Sequence, residues 1–233
     1  ISAVTYGTKK IKPVNKVIGP GNQFVSAAKK EVSGDIGIEA MTAGPSEVLI
    51  VADKSSNPEW LASDLLGQAE HDQLAQCILI SKDKNILEKT KKEVFEQLKN
   101  LPRSSIAKKS LMMNGILIYA NSDKKIIEIT NKIGPEHLEL NVKNYKSFVA
   151  KIKNAGSVCL GKYAVMAMTD YGAPGSNHVL PTNMTSKYSS GLNVSEFMKK
   201  ISYITLSKKG IDKLGPSVIT LANYEGLVGH AQS

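Results

Sequence analysis

Glu47-Val48-Leu49-Ile50-Val51-Ala52 is the stretch that decides the fold. Its five apolar residues run without a polar interruption, and Val48, Ile50 and Val51 are β-branched. A strand without alternation is apolar on both faces, the habit of parallel sheets covered by helices. The stretch that follows changes period. Asn57 suits an N-cap, Pro58 the first helical position, and Leu61 and Leu65 recur at helical spacing. Gln76-Cys77-Ile78-Leu79-Ile80-Ser81 then repeats the buried-strand pattern. Residues 84–98 return to helical spacing, with Ile86, Leu87, Val94, Phe95 and Leu98 on one side. Gly115 to Tyr119 is a further strand, Ser122-Asp123 caps a helix running to Lys132, and Gly156 to Leu160 is a strand again. Strands alternating with helices imply an α/β fold: a parallel-type sheet with helices on both faces, in an incomplete Rossmann-like arrangement.

The flanks differ. The first 44 residues hold three glycine-rich turns and read as the end of a preceding α/β domain. Beyond Pro181 the pattern changes again: residues 195–200 look helical, Ile201 to Leu206 strand-like, and residues from about Gly215 onward helical. The start, Ile1-Ser2-Ala3-Val4, has no signal-peptide layout and reads as the interior of a longer protein. No apolar run is long enough to span a bilayer, so a cytoplasmic protein is expected. Cys77 and Cys159 each sit inside an apolar run, which suits buried free thiols rather than a zinc pair.

The net charge of +9 invites a nucleic-acid partner, but of 30 basic residues only Arg103 is arginine. Arginine supplies the bidentate contacts that nucleic acids favour. The lysines are scattered in pairs such as Lys91-Lys92 and Lys199-Lys200, as on a solvated surface. At 6% aromatic residues, no stacking platform stands out.

Several stretches carry chemistry. If the helix begun at Pro58 continues, Gln68 and His71 share one face and offer an amide oxygen and an imidazole nitrogen, donors that suit zinc. Alone, such a pair is more often a satisfied polar contact. In Gly134-Pro135-Glu136-His137-Leu138, a turn exposes a carboxylate beside an imidazole at a strand edge. His137 can serve as general base and Glu136 can activate water, unless the turn merely faces solvent. The long irregular stretch from Thr169 to Thr182 holds Asp170, a possible metal carboxylate or a turn cap, and His178, a ligand or substrate contact. Glu225 and His230 near the end default to a solvent-exposed pair. Gly19-Pro20-Gly21-Asn22 lets backbone approach a phosphate or cofactor, although the dinucleotide fingerprint is absent. Ser46, in Ala43-Gly44-Pro45-Ser46-Glu47, either bonds a small ligand or caps the strand.

Taken together, these stretches resemble the histidinol dehydrogenase family. The matching motifs are Gly19-Pro20-Gly21-Asn22, Gly44-Pro45-Ser46-Glu47, Gln68-Ala69-Glu70-His71, Pro135-Glu136-His137-Leu138-Glu139, Asn177-His178-Val179-Leu180-Pro181, Ser189-Ser190-Gly191-Leu192 and Glu225-Gly226-Leu227 followed by His230, in the family's order. The resemblance implies oxidation of L-histidinol to L-histidine in two steps, the last of histidine biosynthesis, with one zinc ion per subunit and two NAD per turnover. It implies Gln68, His71, Asp170 and His230 as zinc ligands and Glu136 and His137 as the catalytic pair. Ser46, Gln68, His71, His137, Asp170, Glu225 and His230 would form the substrate site, and Asn22 would contact NAD. It implies a homodimer that exchanges its C-terminal tail, and a fragment lacking the family's N-terminal part and extreme C-terminus. The domains would then be 1–44, a nucleotide-binding-type remnant; 45–188, the main domain with zinc and catalytic residues; and 189–233, the exchanged tail. Val165-Met166 and Thr169 depart from the family pattern ahead of Asp170, and Glu39 replaces an aspartate. A metal-dependent hydrolase or lyase using the same ligands is the competing expectation, and a basic nucleic-acid-binding module a more distant one; neither nucleic acid nor membrane is expected as a partner.

Overall fold

The computed structural model describes residues 1–39, 44–172 and 177–233, and the chain divides into two compact units, Ile1–Glu196 and Phe197–Ser233. The first unit opens with α1 (Ser2–Tyr6), β1 (Lys16–Val17), α2 (Gln23–Glu31) and β2 (Gly37–Ile38), and β1 pairs with β2 in parallel. Lys29 on α2 is buried and paired with Glu39 at 2.5 Å, so the glutamate in place of aspartate has a charge partner.

The main sheet follows as β3 (Glu47–Ala52), α3 (Pro58–Ala69), β4 (Gln76–Ser81), α4 (Lys84–Leu98), α5 (Ser104–Asn114), β5 (Gly115–Tyr119), α6 (Asp123–Ile133), β6 (His137–Asn141), α7 (Lys146–Val149), β7 (Ser157–Leu160) and α8 (Met166–Tyr171). Its strand order is β5-β4-β3-β6-β7, and every pairing is parallel. The expected α/β architecture is therefore present.

The absence of polar alternation in β3 has its cause in two cores. Val48, Ile50 and Ala52 pack with Cys77 and Leu79 under α3, α4 and α5. Leu49 and Val51 pack with Ile78, Ile80, Leu138 and Leu140 under α6 and α7. Leu49, Ile50, Leu79 and Ile80 are fully buried, each worth about 1.5–3 kcal/mol in transfer from water. Helix starts follow the sequence: the Asn57 side chain accepts from the Glu59 amide at 2.9 Å, and Ser122 from Lys125 at 3.3 Å. Helix α6 stops at Gly134, whose φ of 60° is the left-handed cap glycine favours.

Several expectations are corrected. Phe95 is half exposed rather than on the buried side of α4, and β5 is an edge strand with Ile116, Leu117 and Tyr119 partly exposed. Helix α5 joins the list of elements. In the tail, only Val194–Phe197 forms a short 3-10 turn in place of the expected helix, and residues 201–206 form no strand. The second unit holds α9 (Lys208–Tyr224) and α10 (Val228–Gln232).

Candidate active site

Ser46, Gln68, His71, Glu136, His137 and Asp170 lie at the amino-terminal edge of the sheet, opposite to the carboxyl-edge crevice that open α/β sheets usually use. Ser46 precedes β3, Glu136 precedes β6 and His137 begins it. Because helices antiparallel to the strands return to this edge, the end of α3 brings Gln68 and His71, and the end of α8 brings Asp170.

Glu136 and His137 are not exposed by their turn. Strand β6 lies between β3 and β7, so both side chains are buried, at 7% and 4% exposure. Glu136 Oε2 accepts from the Glu47 amide at 2.9 Å, and Oε1 stands 3.8 Å from His137 Nε2. That gap is too long for a direct hydrogen bond. Burial pushes the Glu136 carboxyl up to about 8; an amide bond opposes the shift, and the charges of Glu47 and Asp170 add to it. Burial also lowers the His137 imidazole below its usual value, against the pull of Asp170 and with help from His71 and His178. Asp170, His71 and His178 therefore act electrostatically on one imidazole. The result is a buried acid held largely protonated beside a neutral imidazole, two groups able to move protons in opposite directions.

Helix α3 ends at Ala69, so Gln68 and His71 do not share a continuing helical face. The Gln68 side chain turns inward, 1% exposed, while His71 is exposed. Both amide atoms of Gln68, and Nδ1 of His137, are buried with no hydrogen-bond partner among the described residues. Asp170 sits in helix α8 rather than in an irregular loop. The departures before it are absorbed locally: Met166 is buried, and Thr169 Oγ1 donates to the Met166 carbonyl at 2.7 Å. His178 is exposed and lies edge-on to Tyr171. Residues 173–176 of that stretch, and Ala43 of the turn before Ser46, lie outside the described residues. The Asn22 side chain caps α2, accepting from the Phe24 and Val25 amides at 3.1 Å. Glu225 and His230 belong to the second unit and are exposed.

Three acids escaped the sequence reading. Glu47 is buried at the start of β3. Glu139, 1% exposed, accepts from the Met166 amide at 2.7 Å and so anchors the start of α8. Asp64 on α3 pairs with it: burial raises the Asp64 carboxyl to about 6, and burial plus the Asp64 charge raises Glu139 well above the ordinary range. Asp64 Oδ2 and Glu139 Oε2 meet no other donor. Burial and the Asp64 charge thus favour the protonated form of Glu139. The available signal was a charge inside an apolar strand: Glu47 ahead of Val48-Leu49-Ile50, and Glu139 between Leu138 and Leu140.

Among the described residues no three His, Cys, Asp or Glu side chains form a ready metal cluster. The donor chemistry nonetheless fits zinc. The buried amide at Gln68 lacks a partner among the described residues, and it can offer zinc an oxygen donor as the Asp170 carboxylate and the His71 imidazole can offer theirs. A buried polar group without a partner costs about 1–3 kcal/mol unless a ligand satisfies it.

The sequence model of the histidinol dehydrogenase family matches residues 1–233. The chain belongs to the histidinol dehydrogenase family. It is 74% identical over 233 residues to histidinol dehydrogenase of Pelagibacter ubique (strain HTCC1062), covering all of this chain and 54% of that protein. It is 46% identical to the Listeria monocytogenes (strain ATCC BAA-679 / EGD-e) histidinol dehydrogenase, again over all of this chain and 54% of the relative. The crystal structure of histidinol dehydrogenase from Elizabethkingia anophelis superimposes with a TM-score of 0.93 at 43% identity, covering 99% of this chain and 53% of that one. The chain thus spans about half the length of the histidinol dehydrogenases it matches.

Proposed function

We propose that this chain carries most of the active site of a zinc-dependent, NAD-linked histidinol dehydrogenase, which oxidises L-histidinol to L-histidine in the last two steps of histidine biosynthesis. The observation that supports it best is the buried Glu136–His137 pair at the sheet edge, together with the orphaned Gln68 amide at the end of α3, in a chain of this family. Gln68, His71, Asp170 and His230 would hold the zinc. Bound zinc would supply Lewis-acid anchoring of the substrate's imidazole and amine, and NAD would accept the two hydrides.

The chain's own residues do the rest. His137, kept neutral by burial, takes the alcohol proton as the first hydride leaves. Glu136, when ionised, is a stronger base than an ordinary carboxylate and takes a proton from the water that hydrates the aldehyde. As that water adds, His137 returns its proton to the aldehyde oxygen, and the neutral imidazole then removes the hydrate's proton as the second hydride leaves. Ser46 and Glu225 bind the substrate, and His178 lies on the substrate side. Asn22 contacts NAD through its neighbouring backbone and remaining amide hydrogens, since its oxygen caps α2.

The functional protein in this reading is a cytoplasmic homodimer, with residues 1–44 belonging to a nucleotide-binding-type domain, 45–188 to the main domain, and the tail 189–233 exchanged between subunits. The full-length protein should retain about one zinc per subunit and reduce NAD with L-histidinol. Gln68→Ala should lower its zinc content, and His137→Asn should leave zinc bound while cutting turnover about 10²–10⁴-fold. Normal turnover by His137→Asn would contradict the assignment.

A further inference from the structure

Glu47 is a buried acid that no step above uses. At 8% exposure it stands at the start of β3, and its side chain reaches across to β6 and to the loop after Pro181. Its Oε2 accepts the Glu136 amide at 3.3 Å, and its Oε1 accepts the Asn183 amide at 3.0 Å. In return its own amide donates to Glu136 Oε2 at 2.9 Å. The two glutamates thus clasp each other, each carboxylate on the other's backbone amide. A second bond laces the same loops: the Gly44 amide donates to Thr182 Oγ1 at 2.6 Å. Asn183 and Met184 both hold left-handed backbone, φ 52° and 64°, which side chains rarely adopt without a tether.

The clasp has a directional effect. With Oε2 tied to the Glu47 amide, the rotamer of Glu136 is fixed and Oε1 is left facing His137 Nε2 across 3.8 Å. A space of that kind suits a polar third party, such as a water or a reacting hydrate. We propose that Glu47 is a positioning residue that holds Glu136 in the geometry needed for the water-dependent second half of the reaction. This rests on the role proposed for Glu136. The Glu47 carboxylate also adds to the upward shift of the Glu136 carboxyl, in keeping with a partner that strengthens a base.

The inference separates the two hydride transfers, because only the second needs the activated water. The test is single-turnover NADH formation by the full-length, zinc-loaded protein with L-histidinol, for wild type, Glu47→Gln, Glu47→Asp and Glu136→Gln. Glu47→Gln should slow the second NADH about tenfold or more, with the first NADH and the substrate KM within about twofold of wild type. Glu47→Asp, which keeps the charge but retracts it, should show the same selective loss even if Glu47→Gln melts at low temperature. Equal slowing of both phases, or a lowered Tm with wild-type kinetics, would make Glu47 a structural strut only and overturn the proposal. Impairment of Glu136→Gln in the second phase while both Glu47 variants match wild type would also overturn it. A Glu136→Gln protein that forms both NADH at the wild-type rate would overturn the Glu136 role itself, and this inference with it.

Discussion

At the residue scale the account turns on Glu136. Its folded pKa, about 8, lies above the ordinary 4.5, so the folded protein binds this proton more tightly than the unfolded chain does. The stability contribution is complete below pH 4.5 and is lost as pH rises through 8. Glu136→Gln, which cannot ionise, should therefore match wild type near pH 4.5 in metal-free protein. It should exceed wild type by about 1–3 kcal/mol at pH 9, measured by denaturant unfolding at several pH values. The same ionisation controls activity with the opposite sign. The second NADH-forming step should rise with pH to a plateau as Glu136 ionises, and Glu136→Gln should lose that dependence. Cys77 and Cys159 offer a simpler check. Burial pushes both thiols up to about 12, so neither should react with a thiol reagent at neutral pH until the protein unfolds.

At the element scale, the site depends on how closely the starts of β6 and β7 approach. The Gly156 amide donates to the Pro135 carbonyl at 2.9 Å, and Ser157 to the Glu136 carbonyl at 2.8 Å. A Cβ on residue 156 would meet the Glu136 carbonyl oxygen at 2.6 Å and Pro181 Cδ at 3.0 Å. Gly156→Ala must therefore displace the backbone that carries Glu136. It should cost about 1–3 kcal/mol and lower kcat more than it raises KM, as thermal melts and steady-state kinetics would show. The Asp64–Glu139 pair acts at the same scale: Glu139 on β6 faces the Asp64 charge of α3 and accepts the Met166 amide at the start of α8. Those elements deliver Gln68, His137 and Asp170. Glu139→Ala would leave the Met166 amide and Asp64 without their partner.

The strands and most helices were legible because their signals are local. Five unbroken apolar residues in β3, and Asn57-Pro58 ahead of Leu61 and Leu65, need no knowledge of the rest of the chain. Helix α5 was not legible, because Met112 and Met113 stay exposed and blur its period. Residues 201–206 carry β-branched and aromatic residues, yet no neighbouring strand pairs with them among the described residues, and Tyr203 remains 89% exposed. Strand propensity without a partner leaves the chain irregular. In the site, motif order named the Glu136–His137 pair, but not its burial. Burial follows from the strand order, which places β6 between β3 and β7. The clasp of Glu47 on Glu136 joins residues 89 positions apart, and no sequence spacing announces it.

At the scale of the whole molecule, the chain spans about half the length of the histidinol dehydrogenases it matches and holds a doubly covered sheet, with the Glu136–His137 pair on its amino edge. In the second unit Ile204, Val218 and Leu221 are exposed, while Ala222 is buried. No described helix is long and apolar enough to cross a membrane. The measurement that tests the central claim most directly is the number of NADH formed per L-histidinol by the full-length, zinc-loaded protein. Two NADH with L-histidine as product is the result this account requires. One NADH with release of the aldehyde would remove the water-activating role from Glu136, and none from a folded, zinc-loaded dimer would contradict the dehydrogenase reading altogether.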